Sequence, residues 1–314
     1  MTQFLIKRGI ITIITLIAIS AVIFAILALA PGDPLSELAT NPNVPPEVRQ
    51  RIRESFGLDD PIHERYLKWA ENYVQGEWGT SFATRGPVSD IVKDRLPVTL
   101  GIVGTAFLVS LMIGIPIGVI SALKQYSLFD QFMTTFAFLG YSIPTFFSGL
   151  VCILLFSYKL GWFDSVYDAT VTGVWPNIKQ SIMPIAVLAL AGSAELTRYV
   201  RASMLEVISQ DYVRTARAKG LQEQTVVLFH AVRNAMIPVV MIIALQIPAI
   251  VGGAIITEQI FKVPGIGSAL ILAINAGDTP TVMAIVFGVA ILVVIFNILA
   301  DIALAFLDPR VKLS

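Results

Sequence analysis

The 314-residue chain is 55% hydrophobic and 14% charged, with 22 basic and 22 acidic residues and a formal net charge of zero. A soluble domain carries about 25% charged residues, so this composition, with a mean hydropathy of +0.76, predicts an all-α polytopic membrane protein and excludes a basic nucleic-acid-binding surface. The single cysteine, Cys152, excludes an internal disulfide, and two scattered histidines, His63 and His230, make no metal site with it.

Taken in chain order, Gly9 to Ala30 is an uncharged run behind Lys7 and Arg8. A signal peptide's apolar region is only about 7–15 residues long, so this run is predicted to be a retained first span, domain 1–30. The basic pair before it predicts a cytoplasmic N-terminus. Residues 31–95 form an extracytoplasmic segment. Pro31, Pro34, Pro42, Pro45 and Pro46 stop the first helix. A helix follows Pro46-Glu47, with Val48, Ile52 and Phe56 at helical spacing and Gly57 closing it. A second, from His63 to Val74, sets Tyr66, Leu67, Ala70, Tyr73 and Val74 along one face. Trp69, Trp78 and Phe82 add interfacial aromatics. The segment reads as a helical cap on the membrane surface, with a landing surface for a soluble protein as the alternative.

The remaining chain, 96–314, is predicted as a core of five more spans. Leu96–Leu123 has Pro97 at its start and Pro116 inside. Gln131–Tyr158 is interrupted by Pro144, and the short connection between the two predicts antiparallel neighbours. Lys159–Lys179 returns outside with Trp162 and Trp175. The fourth span, from Ser181 to about Met204, carries Glu195, the one acid predicted to lie deep in a membrane helix. Arg198 lies one turn on and Arg201 beyond it. A Glu195–Arg198 ion pair is the structural reading, and a place on a solute pathway is the alternative.

Between the fourth and fifth spans lies the loop 205–234. Within it, Asp211, Tyr212, Val213, Arg214, Thr215, Ala216, Arg217, Ala218, Lys219, Gly220 and Leu221 read as a short capped helix and its exit. Ser209 is the predicted N-cap, Asp211 suits the positive end of the dipole, and Arg217 and Lys219 suit the negative end. Gly220 suits a left-handed C-terminal turn. The fifth span, Ala235–Thr257, has two predicted interior breaks, Pro238 and Pro248. Glu258–Thr279 returns outside, with a tight turn at Pro264-Gly265 and a short helix over Ser268–Ala276 dipping toward a pore. Asn275 and Asp278 are candidate polar residues at its entrance. Pro280–Leu307 is the last span. Six spans result, both termini cytoplasmic, and most basic residues outside the long 31–95 segment then fall inside. Asp308-Pro309-Arg310-Val311-Lys312 closes the chain there.

No G-x-x-x-x-G-K-[ST], H-E-x-x-H or G-x-S-x-G motif occurs. The chain is therefore not expected to be an enzyme, and uphill transport would draw energy from a partner or an ion gradient. An ATP-independent carrier would show an internal repeat, and none stands out.

Several stretches resemble ABC importer permeases. Arg214-Thr215-Ala216, three residues and Gly220 resemble the E-A-A-x-x-x-G loop of that family, with Arg214 in place of its Glu and Thr215 in place of its first Ala. The family's later I-x-L-P falls on His230, Val232 and Arg233, without its proline. The dipeptide, oligopeptide and nickel branch shares these departures. The run from Asp211 to Leu221, with His230-Ala231-Val232-Arg233-Asn234, is similar to that branch, as are Ala30-Pro31-Gly32-Asp33-Pro34 and Phe261-Lys262-Val263-Pro264-Gly265-Ile266-Gly267. The resemblance implies a B-type permease subunit of a bacterial or archaeal inner membrane. It implies that Asp211–Leu221 is a coupling helix docking on an ATPase, with Tyr212, Thr215, Ala216 and Ala218 filling its groove. The implied partners are a second homologous permease, two ATP-binding subunits and an extracytoplasmic binding protein. ATP and Mg would be bound by those ATPases and no cofactor by this chain. Short peptides are the implied cargo, with nickel or another small solute as the alternative. Glu195, Arg198, Asn275 and Asp278 are the candidate pathway residues.

Overall fold

The computed structural model describes residues 2–29 and 60–307. The predicted helix after Pro46, the Ala30–Pro34 motif and the closing residues from Asp308 lie outside them. Apart from a single turn at Glu223–Thr225, the α-helices of the described residues are α1 (Thr2–Leu29), α2 (Ile62–Gln75), α3 (Val88–Leu123), α4 (Leu128–Ser142), α5 (Thr145–Cys152), α6 (Val174–Ile208), α7 (Asp211–Ala218), α8 (Arg233–Phe261), α9 (Ile266–Asn275) and α10 (Thr279–Leu307). A π-helical segment, Ile153–Lys159, prolongs α5, and another, Val226–Val232, leads into α8. Five helices are long and apolar enough to cross a bilayer. Two bent pairs bring the range to as many as seven, and the expected six lies within it. At Pro144 the chain bends by 103° between α4 and the α5 segment. Pro144 lacks an amide donor and drives the residue before it out of helical geometry, and Ile143 is extended there.

The other prolines act differently from expectation. α3 begins at Val88, so Pro97 lies inside it rather than at its start. α8 is continuous through positions 238 and 248, so neither proline breaks it. Each removes one hydrogen bond from a long helix, a loss that membrane helices tolerate where neighbours satisfy the freed carbonyl.

The chain divides into two compact units, residues 1–96 with 269–294, and residues 97–268 with 295–314. In the first, an aromatic column ties α2 to α1 and α10. Phe24 meets Tyr66 at 5.6 Å, Trp69 meets Phe287 at 5.5 Å, and Tyr73 meets Phe287 at 4.9 Å while stacking on Trp78. Edge and offset contacts of this kind add stabilisation beyond area burial. Burial pushes the Tyr73 phenol up to about 12, and its hydroxyl donates to the Ala284 carbonyl at 3.4 Å. The packed face of α2 is therefore Tyr66, Trp69 and Tyr73. Leu67 and Val74, expected on that face, are 63% and 88% exposed. Leu67 and Val74 each follow a packed aromatic by one residue, about 100° around the helix.

In the second unit α6 is the buried axis. Its Val187, Leu196, Val200 and Met204 are almost fully covered. Small residues let α3 approach it. A Cβ on Gly114 would stand 3.0 Å from the Leu196 Cβ, and one on Gly118 would stand 2.7 Å from the Val200 Cβ and 2.9 Å from the Thr197 carbonyl oxygen. Ser110 lies against Gly192 one turn further along. This is the spacing by which membrane helices bring backbones together. On another side α6 packs with α8, where Leu196, Val200 and Met204 meet Ala235 and Val239, and the Ser203 hydroxyl donates to the Ala235 carbonyl at 2.7 Å.

The α3–α6 contact predicts that Gly118→Ala costs about 1–3 kcal/mol through overpacking. A thermal-unfolding midpoint in detergent should fall for this variant. Gly104→Ala is the control, because a Cβ there meets nothing within 4 Å, and its midpoint should not fall.

Candidate functional site

The loop between α6 and α8 folds into a short rod. After α6 ends at Ile208, the Ser209 hydroxyl donates back to the Glu206 carbonyl at 2.8 Å. The N-cap of α7 is therefore Gln210, with extended backbone and no side-chain cap, which corrects the expectation of Ser209. Asp211 occupies the first turn and Arg217 the last, as the dipole favours. Lys219 is the C-cap. Gly220 follows at φ +77°. Its amide donates to the Arg217 carbonyl at 2.9 Å and the Leu221 amide to the Ala216 carbonyl at 3.4 Å. These two bonds make a Schellman motif, whose left-handed residue is best supplied by glycine.

The rod has two sides. Val213 is fully buried and Ala216 nearly so, packed with Val226 and with Val207 at the end of α6. Val226 opens the π-helical segment that leads into α8, so the underside of α7 rests on the end of α6 and on that segment. Ala216 thus faces the protein itself, which corrects its expected place in a partner's groove. Eight residues give barely two turns, too few for periodicity to fix the inward face. The outward side holds Tyr212, Thr215 and Lys219 at i, i+3 and i+7, flanked by Asp211, Arg214, Arg217, Ala218 and Leu221, all exposed. Arg217 reaches Glu223 through two bonds, 2.7 and 3.2 Å, tying the end of α7 to the next turn. That carboxylate raises the Arg217 guanidinium above its ordinary value. Arg214 lies 3.6 Å from Asp211. Exposed pairs of this kind contribute little, about 0–1 kcal/mol.

Of the four candidate pathway residues, Glu195 and Arg198 belong to the second unit and Asn275 and Asp278 to the first. Among the described residues Glu195 has no ion-pair partner, which corrects the expected Glu195–Arg198 pair. The Arg198 guanidinium lies instead over the rings of Phe138 and Tyr141, 4.4 and 5.0 Å from their centroids, an attraction of about 0.5–2 kcal/mol. Asn275 is exposed at the end of α9. Asp278 is 1% exposed, so it is a fastener rather than a pore-entrance group. Its carboxylate accepts from the Ser81 and Thr281 hydroxyls and from the Phe82 amide at 3.0 Å.

Sequence reasoning missed two deeply buried acids. Asp130, with 3% of its side chain exposed, takes a bidentate pair from Arg201 at 2.6 and 2.8 Å. It also accepts from the Tyr126 amide at 2.9 Å, and its own amide donates to the Ser127 hydroxyl at 3.2 Å. The Ser127-x-x-Asp130 spacing is the capping signature that carries this information in the sequence. Glu258, 2% exposed, accepts from the Thr99 hydroxyl at 2.6 Å and the Ser268 amide at 2.9 Å. The same Thr99 oxygen accepts from the Ile266 amide at 2.8 Å. The Glu258 carboxylate fills the space that a side chain on Gly265 would need. Among the described residues no group of three or more His, Cys, Asp or Glu side chains is placed to hold a metal ion.

Residues 114–313 match the family described as "Binding-protein-dependent transport system inner membrane component", and residues 1–103 match "Binding-prot-dependent transport system membrane comp, N-term". The chain is 42% identical to the oligopeptide transport system permease protein AppB of Bacillus subtilis (strain 168), over 99% of this chain and 100% of that one. It is 37% identical to the di/tripeptide transport system permease protein DppB of Pseudomonas aeruginosa (strain UCBPP-PA14), over 99% of each. Among solved structures it is similar to the inward-facing MetNI methionine ABC transporter, with a TM-score of 0.55 at 17% identity over 69% of this chain and 96% of that one. An amino acid ABC transporter gives a TM-score of 0.54 at 12% identity, over 68% and 92%. At such identities the likeness speaks for the fold.

The Asp130–Arg201 pair yields a test. Removing one partner of a buried pair costs about 3–5 kcal/mol because the other charge is stranded. Asp130→Ala and Arg201→Met should each lower the unfolding midpoint strongly, and the double variant should lose less than the sum.

Proposed function

This chain belongs to the family of binding-protein-dependent transport system inner membrane components, and on that premise we propose that it forms half of the pathway of an ATP-driven importer of short peptides. It is a permease subunit; ATP hydrolysis belongs to partner subunits. The cargo is inferred from the relatives, which are named as oligopeptide and di/tripeptide permeases. The assembly we infer holds a second homologous permease, two ATP-binding subunits carrying ATP and Mg, and an extracytoplasmic binding protein. The subunit has six spans, with both termini in the cytoplasm of a bacterial or archaeal cell.

One observation carries the mechanism: α7 is fastened by its buried face to α6 and to the π-helical segment that leads into α8, and presents a separate, exposed face. In our reading Tyr212, Thr215, Ala218 and Lys219 contact the ATPase. Closure of the ATPase pair on ATP pushes the rod. Because Val213 and Ala216 are packed on Val207 and Val226, the push passes into α6 and, through the π-helical segment, into α8. Their tilt turns the pathway outward, and hydrolysis resets it.

Substitutions on the exposed face separate coupling from folding. Tyr212→Ala with Thr215→Arg should leave the protein folded and in the membrane. Uptake of radiolabelled trialanine by the reconstituted complex should fall at least about tenfold, equivalent to about 1.4 kcal/mol of lost contact, and the ATPase should no longer respond to the loaded binding protein. Normal uptake by this double variant would refute the coupling role.

A further inference from the structure

The front of α6 is open. Ala191, Glu195, Arg198, Ala202 and Glu206 recur at three- and four-residue intervals, so they share one face. Ala191, Glu195 and Arg198 are half-buried, and Ala202 and Glu206 are exposed. The opposite side of the helix is sealed by α3 and α8. Glu195 lies 13 residues before the end of α6 at Ile208, about 20 Å along the axis at 1.5 Å per residue. That depth is inside the span. A carboxylate there is unfavourable against hydrocarbon, so its face meets water or another polypeptide.

The cations nearby are already engaged. Arg201 is bound to Asp130 by two hydrogen bonds. Arg198 is held over Phe138 and Tyr141, rings that are themselves more than half exposed. Glu195 is thus left as a carboxylate of matching size and sign for a cation arriving from outside the chain. A short peptide carries one at its amino end.

We propose that this face of α6 lines the aqueous route and that Glu195 receives the α-ammonium of the passing peptide. The proposal rests on the peptide-importer reading and adds a specificity-determining residue to it. Glu195 favours a free amino end during passage, a selection separate from that made by the binding protein. The aromatic pair under Arg198 keeps the guanidinium from closing onto Glu195 while the route is empty.

The test uses the full complex with the native thiol removed by Cys152→Ser. Ala191→Cys and Glu195→Cys are treated with a membrane-impermeant cationic thiol reagent. Both should react, because a thiol facing water ionises and one facing lipid does not. Trialanine during ATP turnover should slow the reaction at Ala191→Cys at least fivefold. Adding Glu195→Gln should abolish that protection, and Glu195→Asp should retain it. An Ala191→Cys thiol that stays unreactive in a transporting complex would place this face against lipid or the second permease and overturn the proposal. Protection that survives Glu195→Gln would overturn the ammonium contact. A folded Cys152→Ser complex that imports no trialanine would instead refute the importer reading, a separate result.

Discussion

Close backbone approach between α3 and α6 is the constraint on which the second unit depends. Lipid tails are as apolar as leucine, so no hydrophobic force drives two spans together, and packing at short range must do it. Ser110, Gly114 and Gly118 remove side-chain volume where Gly192, Leu196 and Val200 arrive. The result seals one side of α6. Its contact with α8 through Ser203 and Ala235 closes another. What remains open is the face bearing Glu195. A helix packed this way has one side left for function, and the placement of its charges follows from which sides are closed.

Polar fastening completes the arrangement. Asp130 and Arg201 fix the start of α4 against the later part of α6. Asp278 holds residues 81 and 82 of the first unit to the start of α10. Glu258 joins α3, the end of α8 and the start of α9. Each carboxylate has several donors, as burial in a low-dielectric interior requires. The same economy of contact explains α7. Two small apolar side chains underneath suffice to attach it, and its remaining surface is free for a partner.

The spans were legible because each is a long apolar run, and α7 was legible because Asp211, Arg217 and Gly220 mark its ends. Such signals are local, carried by residues within a turn or two of each other. What escaped was set by distant partners. Arg198 and Arg201 sit near Glu195 in sequence, so neighbour rules favoured a pair within α6. The winning partners are Asp130, Phe138 and Tyr141 on another helix. Asp278 reads as an exposed loop acid until the Ser81 turn is brought to it. Prolines 97, 238 and 248 misled for a different reason. In water a proline in a helix interior marks a break, whereas a packed membrane helix carries on through it. The inward face of α2 was displaced by one residue because Leu67 and Val74 outrank tryptophan on hydrophobicity but not on reach.

The Glu258 clamp has a consequence for biogenesis. Thr99 and its acceptor are separated by 159 positions in the chain. When the ribosome has delivered α3, the carboxylate that will receive the Thr99 hydroxyl does not yet exist. The hydroxyl must wait, solvated or bonded locally, through the synthesis of α4 to α8. Final docking of α3 at that end is therefore a late event, completed only when Ser268 has emerged. During that interval the Thr99 end of α3 is without the acceptor that it has in the finished fold.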